Sequence, residues 1–291
     1  MTFLFALCAG FCNSFNVVAQ HRASTSSGAH LRVFSLVLYL FKNPLWLLGW
    51  VALVGGFVFQ ALALHLGTLS QVQALLISEL VFTLALRRLW IRQRISRAAW
   101  ASAALTCSSL AVFVVLAEPQ GTQATPTSSA WFAVLLTFGL LAAALAALSL
   151  RGSPTRRAAM AATAAAVVWA LEATFIKAAT DTLATVGVAG TFSRWPIYAV
   201  AVGGVIGTLL VQTALHVGPL RVSQPLMVSV DPFVSIILGI WLFGEHYVGS
   251  PVRIALGCAS FAVIVIGIVL MVHTSPPNLE PSVEASVSPG A

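Results

Sequence analysis

Three acids stand inside long apolar runs: Glu79 in QALLISELVFTLAL, Glu172 in AAAVVWALEATFI and Asp231 in PLMVSVDPFVSII. A charge at the centre of a membrane helix costs about 2.5–3.5 kcal/mol on insertion scales, so acids so placed usually serve an ion or proton path. The chemistry they offer is a proton- or cation-linked site. The alternative is a set of protonated or hydrogen-bonded acids that only fix packing. Asp231 has company: Gln224, Asp231 and Ser235 fall within about 40° of one another on a helical wheel. Pro232 follows the acid, and a proline removes an amide donor and clashes with the carbonyl four residues back, here Val228. Carboxylate, amide, hydroxyl and bare carbonyl together suit a hard cation or a proton-coupled polar solute.

Other polar side chains sit in the same kind of setting. Asn13, Asn16 and Gln20 recur at i, i+3 and i+7 in the first apolar run and form a stripe. Such a stripe reads as a pathway lining or as interhelical glue. Glu172 and Lys177 lie about 140° apart on one helix and do not pair. Lys177 is expected to reach Asp181, one turn on, and Glu172 needs a partner elsewhere or carries a proton. His65 and His216 close two apolar runs and read as helix-end residues or pH sensors. The four cysteines, Cys8, Cys12, Cys107 and Cys258, all fall in apolar runs with no loop-borne CxxC, which argues against a disulfide or metal framework.

The elements that must hold these residues follow from composition. Hydrophobic residues make up 59% of the 291, and charged residues only 8%, against about 25% in soluble domains. Several continuous runs are long enough to cross a bilayer as helices, and their continuity excludes an alternating β-barrel pattern. The chain is therefore read as all-α and polytopic. About nine spans are expected, near 3–19, 45–64, 72–89, 98–117, 129–150, 157–178, 195–216, 222–243 and 251–272. The pieces at 31–41 and 181–194 look too short to cross alone. Residues 118–128, EPQGTQATPTS, read as a polar loop, and the tail at 274–291 as disordered.

A repeat runs through the chain. ALHLGTLSQVQALLIS, Ala63 to Ser78, matches ALHVGPLRVSQPLMVS, Ala214 to Ser229, at eight of sixteen positions and an offset of 151 residues. The domains are read as a first half at 1–118, a connector helix at 129–150 and a second half at 156–273. Five spans separate equivalent helices, so the halves are expected to be inverted, as in many secondary transporters. The net charge of +7 belongs to this topology rather than to nucleic acid: twelve of the fifteen basic residues, Arg87 and Arg88 among them, fall on one set of alternating loops. Positive-inside logic then puts the N-terminus outside and the C-terminus in the cytoplasm of a bacterial-type inner membrane.

Pro232, the ending Leu242-Phe243-Gly244-Glu245, the Ala214-Leu215-His216 helix end and the Trp169/Lys177 pair resemble the EamA-type unit of the drug/metabolite transporter superfamily. The first half departs from that unit, with Val81 where the proline belongs and Arg94 where the glutamate belongs. The nine-span count with a connector resembles the magnesium-transporter-like branch. The resemblance implies a secondary transporter of a small polar metabolite or cation. Alternatives are divalent-cation transport or a non-transporting membrane scaffold. It also gives Pro232, Gly244, Glu245 and Lys177 as motif positions, although Glu245 on its own reads as a solvated helix cap. No HExxH, GxSxG or phosphate loop is present, so neither an enzyme nor a cofactor is expected. The expected partners are a small-molecule or cation substrate and the lipid bilayer, with a homodimer as the assembly to test.

Overall fold

A computed structural model describes residues 1–25, 43–92, 94–117, 119–120, 126–218, 220–247 and 250–274. The piece at 31–41 and the tail beyond Thr274 lie outside them. Among the described residues the chain is helical, apart from a two-residue pairing of β1 (Pro119–Gln120) with β2 (His246–Tyr247). The helices are α1 (Thr2–Thr25), α2 (Pro44–Leu66), α3 (Leu69–Leu76), α4 (Glu79–Leu89), α5 (Arg97–Ala117), α6 (Ser128–Leu148), α7 (Pro154–Phe192), α8 (Trp195–Val217), α9 (Leu220–Phe243) and α10 (Pro251–Thr274). With α3 and α4 forming one span, nine spans among the described residues are long and apolar enough to cross a membrane, and the protein is an all-α polytopic membrane protein.

Local chemistry sets several of these boundaries. Asn43 caps α2, its Oδ1 accepting from the Leu45 amide at 2.9 Å, with Pro44 in the first turn where a missing N–H costs nothing. Thr68, Thr127 and Ser153 cap α3, α6 and α7 in the same way. The 151-residue offset also reproduces helix starts. Pro44 and Leu69 correspond to Trp195 and Leu220, which open α8 and α9, and the end of α2 at Leu66 corresponds to the end of α8 at Val217.

Three sequence expectations change here. The stretch 181–194 is only partly a separate piece. α7 runs on to Val186, leaves helical geometry at Gly187, where φ is 73° and ψ −176°, and a short second helix follows to Phe192. Glycine takes that positive φ at little cost, so the chain breaks and turns there. The span expected at 72–89 is instead broken at Ile77–Ser78, between α3 and α4. Arg87, expected in a loop, lies in the last turn of α4 and is buried.

The packing follows the repeat. α1 lies against α2, and α7 against α8, its repeat equivalent pair; α5 and α10, themselves equivalent, pack on each other. α7 is the most buried span and also holds α9. Its buried face is rich in alanine, including Ala158, Ala161, Ala162, Ala165 and Ala166. Small residues let helix backbones approach closely, which is the main source of cohesion where lipid removes the hydrophobic drive.

Candidate transport site

The three acids meet at one cavity. It has a volume of about 410 Å³ and is lined by Glu79, Glu172 and Asp231 together with Asn13, Asn16, Gln60, Gln73 and Thr208. Its apolar wall includes Leu53, Phe57, Leu76, Met227 and the indole of Trp169. Among the described residues no Lys, Arg or His lines it. α1, α2 and the α3–α4 span supply one side and α7, α8 and α9 the other; α5, α6 and α10 contribute no lining residue. Four lining pairs are repeat equivalents: Leu53 and Gly204, Phe57 and Thr208, Leu76 and Met227, Ile77 and Val228. A cavity lined from matching positions of both halves lies where the halves face each other.

Each acid is placed by a different local device. Glu79 opens α4 just after the helix break, where Asn13 donates to it at 3.4 Å. The Ser14 hydroxyl donates to the Glu79 carbonyl at 2.7 Å and ties α1 to the break. Asp231 accepts from the Ser235 hydroxyl one turn on at 3.3 Å. Glu172 has no side-chain hydrogen bond among the described residues and lies over Gly203 and Gly204 of α8. Its packing there is close: a Cβ at Gly204 would come within 3.1 Å of Oε1. Gly56 and Gly207, equivalent in the repeat, serve alike, one under the Asn13 amide and the other under the Trp169 indole nitrogen. Next to the acids, the equivalent hydroxyls of Ser78 and Ser229 are buried without a partner among the described residues.

Not every expected residue lines the cavity. Gln20 donates to Asn16 at 2.6 Å and holds the stripe in place from outside. Ser235 is fully buried and acts on the cavity only through Asp231. Gln224 is not a lining residue, although its repeat equivalent Gln73 is. The proposed oxygen-rich pocket therefore contains Asp231 and the Val228–Pro232 turn but not Gln224. Gln60, Gln73 and Thr208 were not anticipated; the identity of Gln73 and Gln224 in the repeat was a signal for the second of them.

Lys177 and Glu245 do different work from that expected. Lys177 does not pair with Asp181. Its Nζ donates to the carbonyls of Leu64 and Gly67 at 2.7 and 2.9 Å and lies 5.4 Å from the centre of the Phe243 ring. Those carbonyls are helix-end acceptors with no helical donor left, which makes them better partners than a half-exposed acid. Asp181 instead meets His65 at 3.2 Å. Glu245 is not a solvated cap: it is 2% exposed and accepts from the amides of Leu69 and Ser70 and from the Ser70 hydroxyl. A carboxylate there meets the free N–H groups and positive end of α3. Burial pushes its carboxyl up, while the bonds from Ser70 and Leu69 and the Lys177 charge pull it down; burial dominates.

The Gly244-Glu245 pair now has a geometric reason. Gly244 takes φ 63°, which turns the chain back under α9, and the Glu245 amide donates to the Gly239 carbonyl at 3.0 Å. The carboxylate then reaches across to the other half. A second cavity of about 910 Å³, lined by His65, Gln71, Lys177, Asp181, Arg194 and Glu245, lies on this side. The two cavities approach along α3 and α7: Gln71 lines the outer and Gln73 the inner, Lys177 the outer and Ile176 the inner.

The chain is similar to an uncharacterized protein of Corynebacterium glutamicum, with 28% identity over 270 residues that cover 92% of this chain and 93% of that protein. No family model and no solved structure matches it.

Proposed function

We propose that the chain is a secondary transporter of a small polar metabolite or cation, working by alternating access between two inverted halves of the EamA type. The observation that carries this reading is the cavity between the halves, with three carboxylates and four repeat-equivalent lining pairs. Acids on facing helices provide a site whose charge is balanced by substrate or proton in turn. The Lys177–Glu245 contacts at the α2–α3 corner fit a closed gate between the two cavities. In the orientation set by the basic loops, that gate faces outward and the C-terminus lies in the cytoplasm of the inner membrane.

Flux into liposomes containing the purified protein, with and without a pH gradient, tests the function. Asp231→Asn keeps the volume but removes the charge, so the variant should fold and lose coupled flux. Normal flux with unchanged pH dependence would make the acid structural. Single cysteines at positions 92 and 123 in a cysteine-free background test the topology and are expected to label from opposite sides.

A further inference from the structure

The chemistry of the inner cavity narrows the substrate class. Glu79, Glu172 and Asp231 line it, and among the described residues no basic side chain joins them, so an anion would meet repulsion from all three. A zwitterion would place its own carboxylate in the same field. A bare metal ion fits no better: among the described residues no three His, Cys, Asp or Glu side chains come close enough to hold one. The volume of about 410 Å³ lies in the range of small-molecule pockets, roughly 300–1,000 Å³. The lining is also divided in character. Trp169 and Glu172 stand three residues apart on one face of α7, so an aromatic face and a carboxylate flank the same space. Leu53, Phe57 and Leu76 from one side and Met227 from the other supply apolar lining beside the polar amides.

We infer that this cavity binds an organic ammonium ion, its nitrogen held by the carboxylates and the Trp169 ring and its hydrocarbon body lying between Leu53 and Phe57 on one side and Met227 on the other. Ammonium N–H groups donate to Glu172 and Asp231, and the cation sits against the indole, the best of the aromatic faces for this contact. Glu172 is the foremost ligand because among the described residues its side chain has no hydrogen bond to give up, whereas Glu79 and Asp231 already accept from Asn13 and Ser235.

The inference rests on reading this cavity as the transport site, but binding in detergent micelles tests it whether or not the protein moves anything. Titration calorimetry with 2-phenylethylammonium and n-butylammonium is compared with phenylacetate, phenylalanine and magnesium chloride. Saturable binding is expected for at least one of the amines and for none of the other three. Glu172→Gln should weaken it by about tenfold or more, and Trp169→Leu by about fivefold. Glu172→Asp, which keeps the charge, should bind more tightly than Glu172→Gln and guards against a variant that merely misfolds, as does a monodisperse elution profile. No binding of either amine by the native protein, equal binding of phenylacetate, displacement of the amine by magnesium, or full affinity in Glu172→Gln each overturns the inference. Flux of another solute without amine binding overturns it and leaves the transporter reading standing. Amine binding with no flux of any solute does the reverse.

Discussion

The corners at Ala63–Leu69 and Ala214–Leu220 share ALHxGxL but are held in different ways. At the first, Lys177 holds the carbonyls of Leu64 and Gly67, Glu245 holds the amides of Leu69 and Ser70, and Asp181 meets His65. All three charged groups come from the second half. At the second, Gly218 lies against Ala158 and the Pro154 carbonyl, with a Ser223 hydroxyl 3.4 Å from the Ala214 carbonyl. The positions equivalent to Lys177 and Glu245 are Ser26 and Arg94, so the first half has no matching clamp to return. The repeat keeps the helices and their turn, while among the described side chains the charged clamp stands at the first corner. Buried charge–amide bonds are worth about 1.5–3 kcal/mol each, and small-residue contacts much less.

The comparison breaks most visibly at Glu245. Glu245→Ala leaves the Leu69 and Ser70 amides and the Ser70 hydroxyl without their acceptor and removes one of the two acids, with Asp181, that act on Lys177. The expected loss is about 3–5 kcal/mol, read as a large fall in melting temperature in detergent. Glu245→Gln keeps one acceptor oxygen and should lose clearly less. Lys177→Met comes next, at about 2–3 kcal/mol, because two helix-end carbonyls lose a charged donor. If both variants melt with the native protein, the first corner is no stronger than the second.

Legibility in the sequence followed the range of the physics involved. The acids could be found because burying charge in lipid is costly wherever it happens, and Asn13, Asn16 and Asp231 do line one cavity. The repeat even located helix starts, since Leu69 and Leu220 both open helices. Lys177 was misread because a wheel shows only neighbours on the same helix, and its true partners end α2, 113 and 110 residues away. Glu245 was misread for the same reason: nothing near a Gly-Glu at a helix end says that the turn at Gly244 aims the carboxylate at Ser70, 175 residues earlier. The Gly, Thr and Val content of 181–194 does mark an interruption, but a single residue, Gly187, makes it, and helix continues on both sides.

A smaller effect sharpens the account of the clamp. A Cβ at Gly239 would lie 2.7 Å from the Glu245 Cδ and 2.9 Å from the Ser70 hydroxyl oxygen, so the carboxylate would have to shift and stretch its bonds to Leu69 and Ser70. Gly239→Ala should therefore cost about 1–3 kcal/mol by overpacking. Gly139→Ala, with nothing within 4 Å, is the matched control and should be neutral or slightly stabilising. Equal melting temperatures for the two would mean that Glu245 is held less tightly than its hydrogen bonds imply.

The smallest expected change lies at the cavity and again sets one half against the other. Ser235 donates to Asp231 from one turn away, and its repeat equivalent is Leu84, so only the second half braces its acid in this way. Ser235→Ala removes one buried hydroxyl together with its bond, for about 0.5–1.5 kcal/mol, while leaving the helix a better former than before. The fold should survive with a shift of a few degrees at most. The Asp231 carboxylate, however, loses its fixed donor and becomes freer to turn towards whatever occupies the cavity. If Asp231 serves the substrate, apparent affinity and the pH dependence of flux should both move at nearly constant stability. If only the melting temperature moves, Ser235 and Asp231 are a packing pair, and the functional burden falls on Glu79 and Glu172.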